Sequence, residues 1–344
     1  MSIFDYIHIM IWDIQNFIHN KYFLFICALW FVSFNYPLIG QENDTNINLS
    51  KKTYTYKIVD QHEIKADVYR KLSEDIQPVI IWIHGGALII GTRDWINIEF
   101  LNKWIESGYT VVSIDYRLAP ETKLESIIED IEDAYYWVRN KGPELFSIDP
   151  NRIGISGGSA GGYLTLMTGF RVKPPPKALV SFYGYGDITG PWYSQPDPFY
   201  KKEPKVTKEK AFKVVGDSII SNTSQFSVEE RSQFYLYCRQ QGVWPQEVSG
   251  HDPESEKQWY LGYEPLRNIS RNYPPTILLH GEKDTDVPFE QSFLMAEELK
   301  LQGVDFEFVY NPDWGHGFDF ADLKDPSVKD AFHKVIDFLE KHLK

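Results

Sequence analysis

Cysteine is nearly absent from this chain: only Cys27 and Cys238 occur among 344 residues, with no C-x-x-C pair. That excludes a disulfide framework and a thiolate zinc site, and no metal is expected. Basic clusters are missing too. The formal charge is −13 and no run of Lys and Arg stands out, so nucleic acid, which needs a basic face, is not a partner. There is no internal repeat and no low-complexity tract, which removes solenoids and disordered linkers from consideration. Long apolar runs are also scarce. The longest, "YFLFICALWFV" at 22–32, has eleven residues, too few to span a bilayer comfortably.

That run follows Lys21 and precedes the polar stretch "QENDTNINLSKK", a pattern that matches the apolar core of a secretory signal. Residues 1–40 are therefore read as a signal peptide of a secreted or periplasmic protein. The alternatives are an uncleaved anchor reaching Ile39 and a buried N-terminal helix; membrane contact is expected through residues 22–39 only. Loss of residues 1–40 would remove Cys27 and leave one cysteine. Sequons stand at Asn43, Asn48, Asn222 and Asn268 and matter only in a eukaryotic secretory pathway.

At 344 residues and 43% hydrophobic, the chain can bury the core of a single catalytic domain, read as residues 41–344. "YTYKIV" (54–59) and "IKADVYR" (64–70) alternate as a hairpin at a sheet edge. Strands are expected at 78–84, 110–116, 152–156, 177–183, 274–280 and 305–310, most of them apolar enough to be covered on both faces. Helices are expected at 95–107, 125–141, 159–170, 289–302 and 326–343. Strand and helix in alternation specify an α/β fold, a mostly parallel sheet of about eight strands with helices on both sides. From 187 to 272 the rhythm stops. That interval has no strand-like run but is rich in aromatics, among them Trp192, Tyr193, Phe234, Tyr235, Trp244 and Trp259. A structureless loop of such length is excluded on general grounds, so it reads as a helical cap.

"RIGISGGSAGG" at 152–162 contains two overlapping G-x-S-x-G patterns, centred on Ser156 and Ser159. A nucleophilic serine needs a tight turn between strand and helix, with small residues two positions either side. Ser159 falls on that junction, flanked by Gly157 and Gly161, and the helix start places the Ala160 amide where an oxyanion would form. Ser156, still at the end of the strand, reads as a structural turn hydroxyl. A serine also needs a base and an orienting acid. "NPDWGHGFD" at 311–319 offers His316 between two glycines. "LLHGEKDTDVP" at 278–288 leaves a strand at its carboxyl end, where catalytic side chains of open α/β sheets gather. Spacing does not choose among Glu282, Asp284 and Asp286, and Asp313 is also within reach of His316. Upstream, "IWIHGGALIIG" at 81–91 ends a buried strand in two glycines whose amides, at Gly85 and Gly86, can face a reaction centre, with His84 fixing the loop.

Together, "HGGA" (84–87), "DYRLAPE" (115–121), "GGSAGG" (157–162), "HGEKDTDVP" (280–288) and "GHGF" (315–318) resemble the α/β-hydrolase superfamily and, within it, the hormone-sensitive-lipase-like esterases. The resemblance covers roughly residues 50–344. It implies an α/β-hydrolase fold with Ser159 as nucleophile, His316 as general base, Asp284 as orienting acid, and Gly85, Gly86 and Ala160 as oxyanion-hole amides. Two positions depart from the family's commonest pattern: Ala87 replaces a third glycine and Gly158 an acidic residue. The implied function is hydrolysis of a small-molecule ester with short-chain or small aromatic acyl groups, through an acyl-enzyme and without a cofactor. The aromatic insertion is expected to supply a largely apolar pocket as well as its own packing. A serine peptidase or amidase is the alternative, since the acid loop also resembles prolyl-oligopeptidase-like enzymes, although the large extra domain usual there has no room here. A non-catalytic binding protein on this scaffold is the other. The sequence leaves the natural acyl and alcohol groups and the oligomeric state open.

Overall fold

The computed structural model describes residues 49–320 and 323–344. The signal or anchor reading of residues 1–40, with Cys27, and the sequons at Asn43 and Asn48 lie outside the described residues.

Eight strands form one sheet: β1 (Leu49–Val59), β2 (His62–Lys71), β3 (Gln77–Ile83), β4 (Thr110–Ile114), β5 (Ile148–Gly158), β6 (Ala178–Phe182), β7 (Thr276–Gly281) and β8 (Phe306–Asn311). Their order is β1-β2-β4-β3-β5-β6-β7-β8. β2 is antiparallel to both β1 and β4, and all other pairs are parallel. The hairpin closes one edge, as its alternating pattern predicts. Every residue of β3 is buried, as a strand covered on both faces requires.

Because strand side chains alternate, β3 feeds two cores. Val79, Ile81 and Ile83 join the side that receives α2 (Leu124–Phe146) and α3 (Ala160–Arg171), through Ile127, Ile131, Leu164 and Met167. Ile80 and Trp82 face the other side, against Phe100 and Trp104 of α1 (Ile98–Glu106) and against Phe332, Val335 and Leu339 of the C-terminal helix (Pro326–Leu343). Helix α2 runs past Gly142 and Pro143, where the sequence suggests a stop. Burial of Phe146 against Tyr54 and Trp137, with ring centroids 5.9 and 5.5 Å apart, holds the extra turn.

Between β6 and β7 the chain forms helices α4 (Pro191–Ser194), α5 (Lys208–Phe212), α6 (Val228–Gln241), α7 (Trp244–Ser249), α8 (Lys257–Tyr260) and α9 (Pro265–Asn268). Helices α10 (Glu290–Gln302) and α11 (Pro326–Leu343) complete the fold. The aromatics of this segment are largely used up in packing. Trp192, Tyr193 and Trp244 stack with centroids 3.7 and 4.0 Å apart, and Tyr185 meets Trp192 edge-on at 5.2 Å. Two anchors tie the segment to the sheet. The Trp244 indole donates to the Ala87 carbonyl at 3.0 Å. Arg231, fully buried, pairs with Glu121 at 2.6 Å and donates to the Ile89 and Ala119 carbonyls. The Asn222 and Asn268 amide nitrogens are engaged inside the chain, with Asp115 and with the Leu261 and Glu264 carbonyls.

Among the described residues, no helix is long and apolar enough to cross a membrane.

Candidate active site

β5 continues two residues beyond its expected end, to Gly158, so Ser159 alone occupies the turn into α3. Its φ of 56° and ψ of −121° place a non-glycine residue in a strained conformation, held by donation of its amide to the Phe182 carbonyl at 2.9 Å. The flanking glycines answer to space. A Cβ on Gly157 would lie 2.4 Å from the Gly161 carbonyl oxygen, and one on Gly161 would lie 2.0 Å from that of Ile83. Strand and helix can cross this closely only without side chains there. Ser156 is not a turn residue: it sits inside β5 between Trp82 and Val180. Its hydroxyl is buried with no hydrogen-bond partner among the described residues.

The loop after β8 brings His316 to the elbow, with Nε2 3.1 Å from Ser159 Oγ and Nδ1 2.8 Å from Asp284 Oδ2. A carboxylate only accepts, so Nδ1 carries a hydrogen, and once the ring is neutral the Nε2 lone pair faces the serine hydroxyl. Asp284 is fully buried. Its Oδ1 accepts from the amides of Asp286 and Val287, both at 2.9 Å, and His280 Nε2 lies 3.3 Å from Oδ2. Burial works against the charged form of Asp284, but His316, His280 and these hydrogen bonds outweigh it and hold the carboxyl well below its usual range. Burial likewise disfavours a charged His316 ring. The charges of Asp284 and then Asp286 overcome that, raising its pKa from 6.5 to about 9.

Geometry thus separates the four candidate acids. Asp284 contacts His316 Nδ1; Asp313 is exposed and pairs with Lys283; Glu282 lines a cleft of about 490 Å³ beside the site. Asp286 does something else, placing Oδ2 3.4 Å from His316 Nε2.

The His84–Ala87 loop lies against the elbow: a Cβ on Gly85 would stand 3.2 Å from Ser159 Cβ. His84 is buried, stacks on Tyr116 at 4.3 Å and bonds the Gly85 carbonyl through Nδ1 at 2.8 Å. Burial lowers its pKa to about 4, so the ring is neutral. The Tyr116 hydroxyl donates to the His84 carbonyl at 3.0 Å. Among the described residues the amides of Gly85, Gly86 and Ala160 have no hydrogen-bond acceptor. Ala87, at the family's third glycine, has φ 57° and its carbonyl receives Trp244.

Two residues that no motif marks, Tyr183 and Asp319, stand behind His316. Tyr183, whose backbone φ is 36°, packs its ring 4.6 Å from the imidazole and donates its hydroxyl to buried Asp319. A Cβ on Gly158 would come 2.9 Å from that hydroxyl, so Tyr183 fills the space a side chain there would need. The cleft beside the site is polar. Its walls include Asp197, Arg239, Glu282, Asp286, Phe289 and Glu290, and of the insertion's aromatics none lines it. Those rings pack on each other instead.

Sheet order, a serine on a strained strand-to-helix turn, and a histidine and acid on the loops after the last two strands define an α/β-hydrolase fold. Within that class the chain belongs to the BD-FAE family, whose model matches residues 66–299, a span that includes Ser159 and Asp284 but ends before His316. It is similar to esterase LipC of Mycobacterium tuberculosis, 28% identical over 74% of this chain and 57% of that one. Similarity extends to the non-reducing polyketide synthase Preu6 of Preussia isomera, 29% identical over 84% of this chain and 14% of that one. The chain therefore spans only part of the length of these relatives. A thermophilic esterase from the Planctomycetes species Thermogutta terrifontis, solved with propionate bound, superposes with a TM-score of 0.59 at 22% identity, over 85% of this chain and 94% of that one.

Proposed function

We propose that the protein is a serine carboxylic ester hydrolase acting on short-chain or small aromatic acyl esters. The observation that carries this reading is the hydrogen-bonded chain from Ser159 Oγ through His316 to Asp284, at 3.1 and 2.8 Å, on an elbow beside three free amides. As the Ser159 oxygen bonds to the ester carbon, its proton passes to His316 Nε2, and the imidazolium is stabilised by Asp284. The carbonyl oxygen gains the charge and, in this reading, accepts from the Gly85, Gly86 and Ala160 amides. Collapse breaks the bond to the alcohol oxygen, which takes the proton from Nε2. Water then repeats the sequence on the acyl-enzyme and frees the acid.

Similarity to an esterase from Mycobacterium tuberculosis and the propionate held by the Thermogutta terrifontis esterase support an ester substrate and a short acyl group. The test is hydrolysis of p-nitrophenyl esters of increasing acyl length. Turnover is expected to be highest for the shortest chains, to be lost in Ser159→Ala and to persist in Ser156→Ala. A folded wild-type protein that hydrolyses none of them would overturn the reading.

A further inference from the structure

Asp286 is an acceptor aimed at the reaction centre. Its Oδ1 is fully used by groups of the β6–β7 segment: the Tyr200 hydroxyl at 2.6 Å, the Tyr235 hydroxyl, and Arg239 Nη1 at 2.8 Å. Its Oδ2 has no such donor and stands 3.4 Å from His316 Nε2. That nitrogen must hand a proton to the departing alcohol oxygen, which therefore comes within hydrogen-bond distance of it. An oxygen about 3 Å from Nε2 lies within about 6.5 Å of Oδ2 whatever its bearing.

The charge that reaches this point is negative. Arg239 pairs with Asp286 and also with Asp197, two carboxylates to one guanidinium. The guanidinium side chain is 1% exposed and ringed by Tyr193, Tyr200 and Tyr235, whereas the Asp286 side chain, on the same cleft wall, is 19% exposed. Glu282 and Glu290 on the same walls add charge of the same sign.

We propose that Asp286 is a specificity-determining residue for the alcohol half of the ester, favouring alcohols that carry a positive charge near the ester oxygen and rejecting those that carry a negative one. The inference rests on the ester hydrolase reading above and names the leaving group that this site prefers. It also explains why a segment distant in sequence spends three donors on one oxygen of Asp286: they fix the direction of the other.

The test compares kcat/KM for three acetates of similar shape: choline acetate, its neutral carbon isostere dimethylbutyl acetate, and acetoxyethanesulfonate. Wild-type protein is expected to prefer them in that order, with steps on the order of tenfold for one unit charge several ångströms away at a solvated site. Near-molar salt compresses the steps. In Asp286→Asn the cation-to-anion ratio falls at least about fivefold. Asp313→Asn, which removes the same charge from an exposed residue paired with Lys283, leaves the ratio unchanged. Comparing ratios at one pH cancels any shift in His316. Hydrolysis of the neutral ester with no order of charge in the wild type, or with the same ratio in Asp286→Asn, overturns this inference and leaves the esterase reading standing. No hydrolysis of any of the three by folded protein overturns both.

Discussion

Replacing Asp284 by asparagine preserves shape and changes two physical quantities that the structure allows to be weighed separately. An amide oxygen can still accept from the Asp286 and Val287 amides at the Oδ1 position. The amide nitrogen then faces His316 Nδ1 and donates to it, so the hydrogen moves to Nε2, which can no longer take the proton of Ser159. The charge that stabilises the imidazolium is also gone. Raising His316 from 6.5 to about 9 corresponds to on the order of 3 kcal/mol in favour of the protonated ring. Asp284 is the largest of the charges behind that rise, ahead of Asp286 and Asp319. Adding the misplaced tautomer gives an expected loss in kcat of roughly three to four decades, about 4–5 kcal/mol in the barrier. The assay is kcat/KM on a neutral ester across pH 5 to 10. Wild-type activity should rise with pH as His316 loses its proton, with a midpoint above 6.5 and toward 9. In Asp284→Asn the residual activity should have a midpoint lower than the wild type's. A loss under tenfold, or an unmoved midpoint, would refute the assignment of Asp284. The same pair sets a stability window. The raised His316 value stabilises the fold fully below about pH 6.5 and that contribution fades as pH rises through about 9, whereas the depressed Asp284 value contributes above the usual carboxylate range and is lost as pH falls below it.

Other outcomes follow from single features. Arg231→Met leaves Glu121 buried without its partner and frees the carbonyls of Ile89 and Ala119, and should cost about 3–5 kcal/mol in urea unfolding; a midpoint equal to wild type would contradict this anchor. Gly161→Ala drives a methyl to 2.0 Å from the Ile83 carbonyl oxygen, so a loss of about 1–3 kcal/mol in thermal unfolding and a fall in kcat are expected together. Burial raises the Asp319 carboxyl to about 6, so the native state loses stability as pH climbs from about 4 to 6. Asp319→Asn keeps an acceptor for Tyr183 and should remove that slope, gaining about 1–3 kcal/mol at pH 7; unchanged pH dependence of unfolding would count against it.

Much of this was legible in the residues because local pattern and tertiary demand agree. The apolar run Pro78–Ile83 of β3 reads as a central strand, and Gly157 and Gly161 flank Ser159 because only glycine lets β5 and α3 meet there. Disagreement arose where distant contacts decide. Gly142-Pro143 reads as a helix stop, but the helix continues to Phe146, which is buried against Trp137. Choosing Asp284 over Glu282 and Asp286 needed the family resemblance, since three carboxylates within five residues differ only in where a loop turns each one. Asp286 was visible as a rival acid, whereas its attachment to Tyr200, Tyr235 and Arg239 spans up to 86 positions and leaves no local signature. Composition does not say which face of a ring is used, so which of the insertion's aromatics meet substrate was not legible. Here the rings stack within the β6–β7 segment and leave the cleft to charged groups.

The most direct measurement is covalent labelling with a phosphorylating ester hydrolase inhibitor, read by intact mass and peptide mapping on wild type, Ser159→Ala and Ser156→Ala. The account predicts one adduct per chain, on Ser159, present in wild type and Ser156→Ala and absent from Ser159→Ala. An adduct on Ser156, or equal labelling of Ser159→Ala, would contradict it.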